Sequence, residues 1–500
     1  MTLETPAEPV VEMRGVSKAF AGVQALQAVD FAISPGEVVC LAGENGSGKS
    51  TLIKCLAGTQ PIDEGTISYG GVADPNPTPV KAARAGIQII FQDFSLFPNL
   101  SAAENIAYSR RLALGRRFMN WREIRAIARG ALDELGVDIP LDRPAETLPV
   151  AQKQLIAIAR AIVNDARLIV MDEPTTALTE REVRQLLEII RRLKARGIAI
   201  LFVSHKLAEV FAVCERVMVL RNGRLVAEGP VGEFDLASLT HHMTGRKLDE
   251  AATVRAETVR PDVRLAVDGL AHGAAFRDIS FTLRAGEVLG VVGLLGSGRT
   301  ELAKTLFGIL PATAGTIAVD GAPATITSIA DAMALGLGYV PEDRLTEGLF
   351  LSQSIGRNIA VGSLSRLASG LFINGAAVNA EGTRWVDRLS IATPSAALPV
   401  QSLSGGNQQR VVLSRWLATD PKILILNGPT VGVDVGSKAD IHKAIGALAA
   451  EGLGIIIISD DIPEVLTACH RILVMKAGRI EGEVAHGTVG EDELTHRLAA

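Results

Sequence analysis

The stretch GENGSGKS, from Gly43 to Ser50, lies between the apolar segment EVVCLA and the helical segment TLIKCLAG. It fits the pattern GxxxxGK[ST], in which a strand, a glycine-rich loop and a helix follow one another. The glycines of such a loop let backbone N–H groups turn around a β-phosphate, and the N-terminus of the following helix adds its dipole. Lys49 is expected to reach β- and γ-phosphate oxygens, and Ser50 to offer its hydroxyl to Mg²⁺. The stretch therefore predicts an α/β protein with a site for nucleotide phosphates.

The same loop pattern occurs twice in this chain. GENGSGKST begins at Gly43, and GLLGSGRTE begins at Gly293, 250 residues later. The stretches FAISPGEVVCLAG and FTLRAGEVLGVVG end at these two glycines, and each predicts a β-hairpin turn followed by a buried strand. A repeat that keeps its order over several elements indicates two copies of one domain.

The two copies are separated by polar, charged sequence without a strand pattern, from Arg246 to Asp262. We interpret residues 247–262 as a linker between a first domain over residues 9–246 and a second over residues 263–500. Within each half, short apolar strands such as ARLIVMD and AILFVSH alternate with helical stretches. This alternation predicts a mainly parallel sheet covered by helices in each domain.

Composition and charge exclude several classes of protein. The chain has 500 residues, of which 48% are hydrophobic, and a net charge of -5, so it can bury a large core but lacks the basic surface of a general nucleic-acid binder. The four cysteines have no CxxC spacing and are predicted to be buried thiols in a reducing, cytosolic compartment. The sequence has no secretory signal pattern, and no apolar run approaches the roughly 18 residues that span a bilayer. We therefore expect any link to a membrane to come through a partner.

Two adjacent carboxylates follow another apolar strand, in LIVMDEPTTAL. Because neighbouring side chains on a strand point to opposite faces, one carboxylate of Asp172 and Glu173 can serve the Mg²⁺ shell while its neighbour points at the attacking water as base or polariser. Phosphoryl transfer requires this division of labour.

The order of phosphate loop, glutamine, signature, DEPT and SH resembles that of the nucleotide-binding subunit of ATP-binding cassette (ABC) transporters, over almost the whole chain. The resemblance implies two tandem ABC-type P-loop NTPase cassettes, each α/β with an antiparallel β subdomain and a helical subdomain, and it implies ATP and Mg²⁺ as ligands. Gln92 in IIFQDFSL would contact Mg²⁺ and the transmembrane partner, and His205 in LFVSHKLAEV would hold the γ-phosphate. Phe20 in VSKAFAGVQAL would stack on the adenine ring, unless it is a core residue.

These roles define the first set of site residues. The implied catalytic residues are Glu173, His205 and Gln92. The implied metal ligands are Ser50, Gln92 and Asp172. The implied nucleotide-binding residues of the first copy are Phe20, Gly43, Glu44, Asn45, Gly46, Ser47, Gly48, Lys49, Ser50 and Thr51.

Two fused cassettes, with GLLGSGRTEL and GYVPEDR in the second, most resemble the tandem ATPase subunits of bacterial monosaccharide importers, the ribose, xylose, arabinose and galactose group. That resemblance implies an ATP hydrolase held at the cytoplasmic face of the membrane by permease subunits and served by an extracytoplasmic solute-binding protein. The chain would contact the permease and not the solute. Nucleosides, polyols and furanose autoinducers, which use similar tandem subunits, therefore stay open.

The signature stands intact in the second copy, as SLSGGNQQR, but reads TLPVAQKQL in the first. In this superfamily two cassettes pack head to tail, so that each ATP lies between the phosphate loop of one and the LSGGQ-like signature of the other. Serine and helix N-terminal N–H groups would meet the γ-phosphate at close range, which glycine permits because it has no Cβ. The resemblance thus implies that the first phosphate loop is completed by Ser404, Gly405, Gly406 and Asp434.

The same arrangement implies that the motif residues altered in both copies belong to the other composite site. On the first copy Pro149, Val150 and Ala151 replace the serine and glycines, and Thr179 would face this site. The second copy carries Arg299 for the lysine, Glu342 for Gln92, Asn427 and Gly428 for Asp172 and Glu173, and Asp460 for His205. No strong general base remains there, so hydrolysis is predicted at the first composite site alone. The second loop still offers nucleotide-binding residues, unless the site is unused: Gly293, Gly296, Gly298, Arg299 and Thr300.

Two other classes of cassette ATPase fit the sequence less well. Soluble tandem-cassette ATPases that act on ribosomes usually carry a long charged linker and two intact sites, and this class is the alternative function. Cassette ATPases of DNA repair need long coiled-coil or zinc-hook insertions, which this sequence lacks. No nucleic-acid partner is predicted.

Overall fold

The computed structural model describes residues 8–20, 23–113, 120–175, 178–204, 206–245, 258–294, 296–369 and 372–499. The chain divides into two compact units, Met1–Leu248 and Asp249–Ala500. Most of the predicted linker lies outside the described residues, so its bounds stay a prediction. In the described part of the chain, every helix is too short or too polar to cross a bilayer. The four cysteines are buried free thiols, as predicted.

The strands of the first unit form a large sheet and a small one. They are β1 (Val11–Phe20), β2 (Val23–Ile33), β3 (Val38–Ala42), β4 (Glu64–Tyr69), β5 (Val72–Asp74), β6 (Ile87–Ile90), β7 (Leu168–Asp172), β8 (Ala199–Val203), β9 (Arg216–Arg221) and β10 (Arg224–Pro230). The large sheet has the order β10–β9–β3–β8–β7–β6 and is parallel except at β10. The small sheet, β2–β1–β4–β5, is antiparallel. Strands β3 and β8 are buried along their whole length, as the central strands of parallel sheets are.

The predicted hairpin before the phosphate loop is wrong. Strand β2 pairs with β1 in the small sheet, whereas β3 pairs with β8 and β9 in the large sheet. The turn at Pro35 and Gly36 therefore carries the chain from one sheet to the other. Turn residues fix a reversal of the backbone but do not choose the partner of the next strand.

Eight helices are described in the first unit, and they lie between or after its strands in the sequence. They are α1 (Lys49–Leu56), α2 (Pro79–Arg84), α3 (Ala102–Ala113), α4 (Trp121–Leu135), α5 (Val150–Val163), α6 (Glu180–Ala195), α7 (Leu207–Val213) and α8 (Leu236–Thr244), with 3₁₀ turns at Ala145–Thr147 and Val231–Glu233. Helices α3, α4 and α5 pack on one another and form a helical subdomain. The helical spacing in α6 predicts one apolar face with Val183, Leu186, Leu187, Ile190 and Leu193. Of these residues, the three leucines and Ile190 are buried, whereas Val183 is half-buried.

The second unit repeats this arrangement. Its strands are β11 (Val263–His272), β12 (Phe276–Arg284), β13 (Val288–Val292), β14 (Ala314–Val319), β15 (Ala322–Ala324), β16 (Leu337–Val340), β17 (Ala368–Ser369), β18 (Phe372–Ile373), β19 (Ile423–Asn427), β20 (Gly454–Ser459), β21 (Arg471–Lys476) and β22 (Arg479–Ala485). The large sheet has the order β16–β19–β20–β13–β21–β22, and the antiparallel sheet has the order β12–β11–β14–β15. Strands β17 and β18 form an extra short hairpin.

The helices of the second unit are α9 (Arg299–Leu306), α10 (Ile329–Ala334), α11 (Ile355–Ala360), α12 (Leu364–Leu367), α13 (Gly375–Arg388), α14 (Gly405–Leu417), α15 (Val435–Ala450), α16 (Ile462–Ala468) and α17 (Glu491–Ala499). A π-helical turn covers Arg344–Gly348, and 3₁₀ turns cover Val361–Ser363 and Val400–Ser402. Each unit thus has a mainly parallel sheet, an antiparallel β subdomain and a helical subdomain, which confirms the predicted fold class.

Candidate functional site

The site residues of the first unit lie at one edge of the large sheet. Because β3, β8, β7 and β6 are parallel neighbours, their carboxyl ends meet at that edge. The phosphate loop follows β3, Ser204 follows β8, Asp172 ends β7, and Gln92 comes two residues after β6. Topology therefore brings together residues that are up to 161 positions apart in the sequence, from Gly43 to Ser204.

The first phosphate loop is a backbone cradle that excludes side chains. A Cβ added at Gly43 would lie 2.3 Å from the Leu220 carbonyl oxygen, and one at Gly48 would lie 2.6 Å from the Ala25 carbonyl oxygen. Both glycines have positive φ angles, 149° and 110°. The hydroxyl of Ser47 is buried and has no hydrogen-bond partner among the described residues. A buried unsatisfied hydroxyl in such a loop fits a site built for an anion.

The Lys49 ammonium group is held across this loop. Its Nζ donates to the carbonyl oxygens of Gly43 at 2.6 Å and Glu44 at 2.9 Å. Lys49 begins helix α1, so the cation and the helix N-terminus lie at the same place. The other loop residues are half-buried at Glu44 and Thr51 and exposed at Asn45, Gly46 and Ser50.

The sequence analysis used strand alternation to point the side chains of Asp172 and Glu173 to opposite faces, and the structure does not support that argument. Asp172 ends the strand, but Glu173 lies past it with φ +49°, so alternation along a strand does not orient Glu173. Its backbone N–H donates to the Val203 carbonyl oxygen at 2.9 Å. A non-glycine residue in this region stores backbone strain, which is typical of functional positions.

Burial, followed by the charge of Glu173, raises the pKa of the Asp172 carboxyl above its ordinary value, although Lys49 and Lys54 oppose that rise. Two carboxyl groups therefore lie close together at the end of β7, near the lysine of the phosphate loop. Asp172, the Ser50 hydroxyl and the exposed Gln92 amide lie at one sheet edge and offer the hard oxygen ligands that Mg²⁺ prefers. The residues present fit the cation that the sequence implies.

A buried carboxylate that the sequence analysis missed holds this region in place. Glu209 Oε2 accepts hydrogen bonds from the Thr175 hydroxyl at 2.6 Å and the Ser204 hydroxyl at 3.3 Å. The second unit repeats the arrangement, because Glu464 accepts from Thr430 Oγ1 at 2.7 Å and Ser459 Oγ at 2.5 Å. The signal was available, since these residues are identical in both copies and lie 255 positions apart.

Of the residues His205 and Phe20, which have implied roles at the nucleotide, only Phe20 lies among the described residues. His205 lies outside the described residues, so its role stays a prediction. Phe20 is 44% exposed at the end of β1, with the Lys18 Nζ atom 5.6 Å from its ring centroid. Phe20 is therefore not a core residue, and its ring is accessible for stacking.

The second phosphate loop keeps the cradle but changes the cation. A Cβ at Gly298 would lie 2.4 Å from the Ala275 carbonyl oxygen, and the Ser297 hydroxyl is again buried without a partner among the described residues. Arg299 begins helix α9, and its Nη1 donates to the Gly293 carbonyl oxygen at 2.8 Å. Its Nη2 lies 3.3 Å from Asp460 Oδ2, so the guanidinium forms an ion pair with this carboxylate. Arg299 and Asp460 correspond in sequence to Lys49 and His205 of the first unit.

The carboxylates of Asp172 and Glu173 have no equivalent at the end of β19. Asn427 is 2% exposed, and Gly428 has φ +60° at the position that corresponds to Glu173. Glu342 follows β16, as Gln92 follows β6. Together with Thr300, Asn427 and Glu342 line a cavity of about 410 Å³.

The two signature stretches differ in local packing. Ser404 and Pro149 are exposed N-cap residues of α14 and α5. A Cβ at Gly406 would lie 2.1 Å from Ser437 Oγ, and one at Gly405 would lie 2.8 Å from Arg344 Nη2. The glycines of the intact signature thus have a packing reason within their own unit, in addition to the predicted approach of a phosphate.

Asp434 and Thr179 also act within their own units. The Asp434 carboxylate caps helix α15 by accepting from the Ser437 backbone N–H at 2.8 Å. Thr179 forms a capping box with Glu182 at the start of α6. The predicted orientation of these two residues toward composite sites stays a prediction.

The chain is similar to several known proteins. A solved nucleotide-free ATP-binding cassette from an ABC transporter is 26% identical over 44% of this chain and 91% of its own length, with a TM-score of 0.40. The chain is 41% identical to the ribose import ATP-binding protein RbsA 2 of Streptomyces avermitilis, over 99% of both chains. It is 44% identical to the ribose import ATP-binding protein RbsA 3 of Rubrobacter xylanophilus, over 97% of this chain and 98% of that protein.

The family model described as ABC transporter matches residues 26–176 and 276–431, which cover one cassette in each unit. The two relatives align over nearly their whole length, which confirms the resemblance to tandem ATP-binding subunits. The chain therefore belongs to the ABC transporter family and is an ATP-binding, ATP-hydrolysing protein with two cassettes.

Proposed function

We propose that this chain energises the import of ribose or a related monosaccharide. Its similarity to two ribose import ATP-binding proteins over nearly the whole length of all three chains carries this proposal. The chain would bind membrane permease subunits at the cytoplasmic face of the membrane, and an extracytoplasmic solute-binding protein would deliver the sugar. Nucleosides, polyols and furanose autoinducers are the other candidate solutes.

We also propose that the two units pair head to tail and that one of the two composite sites hydrolyses ATP. The contrast between the two sheet edges supports this scheme. At the end of β7 stand a carboxylate and a strained glutamate, Asp172 and Glu173. At the end of β19 stand an amide and a glycine, Asn427 and Gly428. General base catalysis has a candidate group at the first edge and none at these positions of the second.

In the hydrolytic site the chain positions the triphosphate and a water molecule. The N–H groups of the phosphate loop and the Lys49 ammonium hold the β- and γ-phosphates, and His205 contacts the γ-phosphate. Mg²⁺, held by Ser50, Gln92 and Asp172, would neutralise phosphate charge. Glu173 accepts a proton as the water oxygen bonds to the γ-phosphorus and the bond to the β-phosphate oxygen breaks. ADP and inorganic phosphate are the products.

The intact signature would complete this site from the second unit. The Ser404 hydroxyl and the N–H groups at the start of α14 would meet the γ-phosphate. The other site would combine Pro149 with the loop that carries Arg299. It would bind nucleotide without hydrolysing it, because the cradle of that loop is kept.

Affinity purification of the chain from detergent-solubilised host membranes tests the import proposal. We expect a polytopic permease to co-purify at stoichiometric level, and mass spectrometry would identify it and its cognate binding protein. That binding protein would then be screened with ribose, other monosaccharides, nucleosides and polyols. Recovery with ribosomes, or alone under conditions that keep a known importer complex intact, would contradict the proposal and favour the soluble tandem-cassette class.

A further inference from the structure

The cation of the second phosphate loop is paired with a carboxylate. Asp460 Oδ2 lies 3.3 Å from Arg299 Nη2, and the Arg299 side chain is only 7% exposed. Arg299 stands where Lys49 stands in the first loop, and a lysine there reaches the β- and γ-phosphate oxygens. Asp460 therefore already neutralises the cation that would meet the terminal phosphate.

The described part of this loop keeps several features of the first loop. Gly298 and the Ser297 hydroxyl repeat the geometry of Gly48 and Ser47, including the close backbone carbonyl and the buried unpartnered hydroxyl. Arg299 Nη1 donates to the Gly293 carbonyl oxygen, as Lys49 Nζ donates to that of Gly43. The β-phosphate cradle of the two loops is thus alike, and the difference lies where the third phosphate would be.

The surroundings of the terminal phosphate add to this difference. Asn427 puts a neutral, 2% exposed amide where the first unit has the Asp172 carboxylate. Glu342 puts a second negative charge beside Asn427 and Thr300, on the wall of the cavity of about 410 Å³. Triphosphate binding is helped by a metal ion that bridges the β- and γ-phosphates, and this edge has lost the corresponding strand-end carboxylate. A dianionic terminal phosphate would instead face Asp460 and Glu342.

We propose that Asp460 makes the second nucleotide site selective for nucleoside diphosphate over nucleoside triphosphate. The inference rests on the proposed function, because it requires that the second loop bind nucleotide. Asp460 acts as an internal substitute for the γ-phosphate, so that ADP completes the charge pattern of the loop whereas ATP must displace the Asp460–Arg299 ion pair. The second unit would then stay loaded with diphosphate while the first site turns over.

Photoaffinity labelling of the full chain tests this selectivity separately for each unit. The probe is 8-azido-ADP with Mg²⁺ on ice, in a Glu173→Gln chain so that competing ATP is not hydrolysed, and labelled peptides are assigned to either unit by mass spectrometry. We expect unlabelled ADP to displace the label from the second unit at a roughly tenfold lower concentration than ATP, as a like-charge contact at short range predicts. Asp460→Asn should bring the two concentrations together, mainly through tighter ATP binding.

Asp461→Asn is the matched control, because it removes the same charge from the next residue. Asp461 pairs with Lys438 and caps helix α16, and asparagine keeps the capping oxygen. The control should leave the ADP preference of the second unit unchanged, and neither substitution should alter labelling of the first unit.

Three results would overturn the inference: no labelling of the second unit, equal displacement by ADP and ATP in the parent chain, or a preference that survives Asp460→Asn. The ATPase activity of the Glu173→Gln chain is measured in the same preparation. Turnover that persists there would overturn the one-site scheme instead, so the two failures are distinguishable.

Discussion

One backbone position shows how the two cassettes have diverged. Glu173 and Gly428 occupy equivalent places after β7 and β19, with φ angles of +49° and +60°. Glycine adopts such angles without steric cost, whereas a glutamate there costs on the order of 1–3 kcal/mol. The first unit has a strained glutamate at the position of the proposed general base. The second unit has a glycine there, which carries neither the strain nor a carboxylate.

The double substitution Asn427→Asp with Gly428→Glu is expected to restore little hydrolysis. A Cβ at residue 428 would lie 2.8 Å from Val431 Cγ2 and 3.2 Å from Glu342 Cγ, so the new side chain would be displaced. Arg299, Asp460 and Pro149 would also remain. The steady-state ATPase activity of a chain that carries this pair together with Glu173→Gln should stay at the level of Glu173→Gln alone. Recovery of more than about a tenth of the parent rate would show that the two carboxylates suffice.

Gly406→Ala separates the packing role of a signature glycine from its predicted phosphate role. The added methyl would clash with Ser437 Oγ and Cβ, and the overpacking should lower the free energy of unfolding of the second unit by about 1–3 kcal/mol. Ser437→Gly in the same chain should recover much of this stability in a denaturant titration. If Gly406 also lets a phosphate approach closely, ATPase activity should stay low in the double variant. Full recovery of activity together with stability would mean that packing is the whole role.

At the scale of elements, the sheet edge is organised by buried carboxylates beneath the catalytic loops. Glu209 ties the loop after β7 to the end of β8, and Glu464 does the same between β19 and β20. The two units thus share this frame although their catalytic residues differ. The frame is kept because it satisfies buried hydroxyl groups, independently of what the loop carries.

Matched threonine substitutions test what this frame does for catalysis. Thr175→Val and Thr430→Val each remove one hydroxyl donor to a buried glutamate and should each lower the free energy of unfolding by about 1–2 kcal/mol. We expect Thr175→Val to reduce kcat several-fold, because the loop beside Glu173 loosens, and Thr430→Val to leave kcat near the parent value. Steady-state kinetics with parallel denaturant titrations would show this. An equal loss of kcat in the two variants would contradict the proposal that the sheet edge of the second unit takes no part in hydrolysis.

Much of the fold could be predicted at this scale, because short apolar strands alternate with helical stretches and the phosphate loop fixes one strand–loop–helix unit. The predicted hairpin at Pro35 and Gly36 failed, since partner choice is set by the whole sheet and not by the turn. The strand alternation used to orient Glu173 does not apply for a related reason, because Glu173 lies past the end of β7. Its predicted orientation stays a prediction. The repeat of Glu209 as Glu464 was a signal for the glutamates below the loops, but a single sequence does not show that these carboxylates are buried.

At the scale of the whole molecule, each of the two repeated units has lost motif residues that the other unit keeps. The first unit has the proposed catalytic carboxylates and an altered signature, whereas the second unit has an intact signature and lacks those carboxylates. If the units pair head to tail, these losses fall on one composite site. Comparison of the two copies together with the family resemblance predicted this distribution, and the pairing itself is also an implication of family membership.

Substitutions at the two signature N-caps test the pairing. Ser404 and Pro149 are both exposed, so an arginine at either position should be tolerated by its own unit. We expect Ser404→Arg to lower ATPase activity at least tenfold, because it would disturb the γ-phosphate of the first loop from the opposite unit. Pro149→Arg should have little effect on activity. A null effect of Ser404→Arg in a correctly folded chain would argue against a site shared between the units.

The central claim is that one composite site with Glu173 as its general base carries all steady-state hydrolysis. The most direct measurement is the ATPase rate of the purified Glu173→Gln chain in its permease complex, beside the parent complex and with thermal unfolding as a check on folding. The account predicts a rate close to background, since loss of a general base removes a factor of roughly 10² or more. A Glu173→Gln complex that keeps more than about a tenth of the parent rate would contradict the claim and place hydrolysis elsewhere in the molecule.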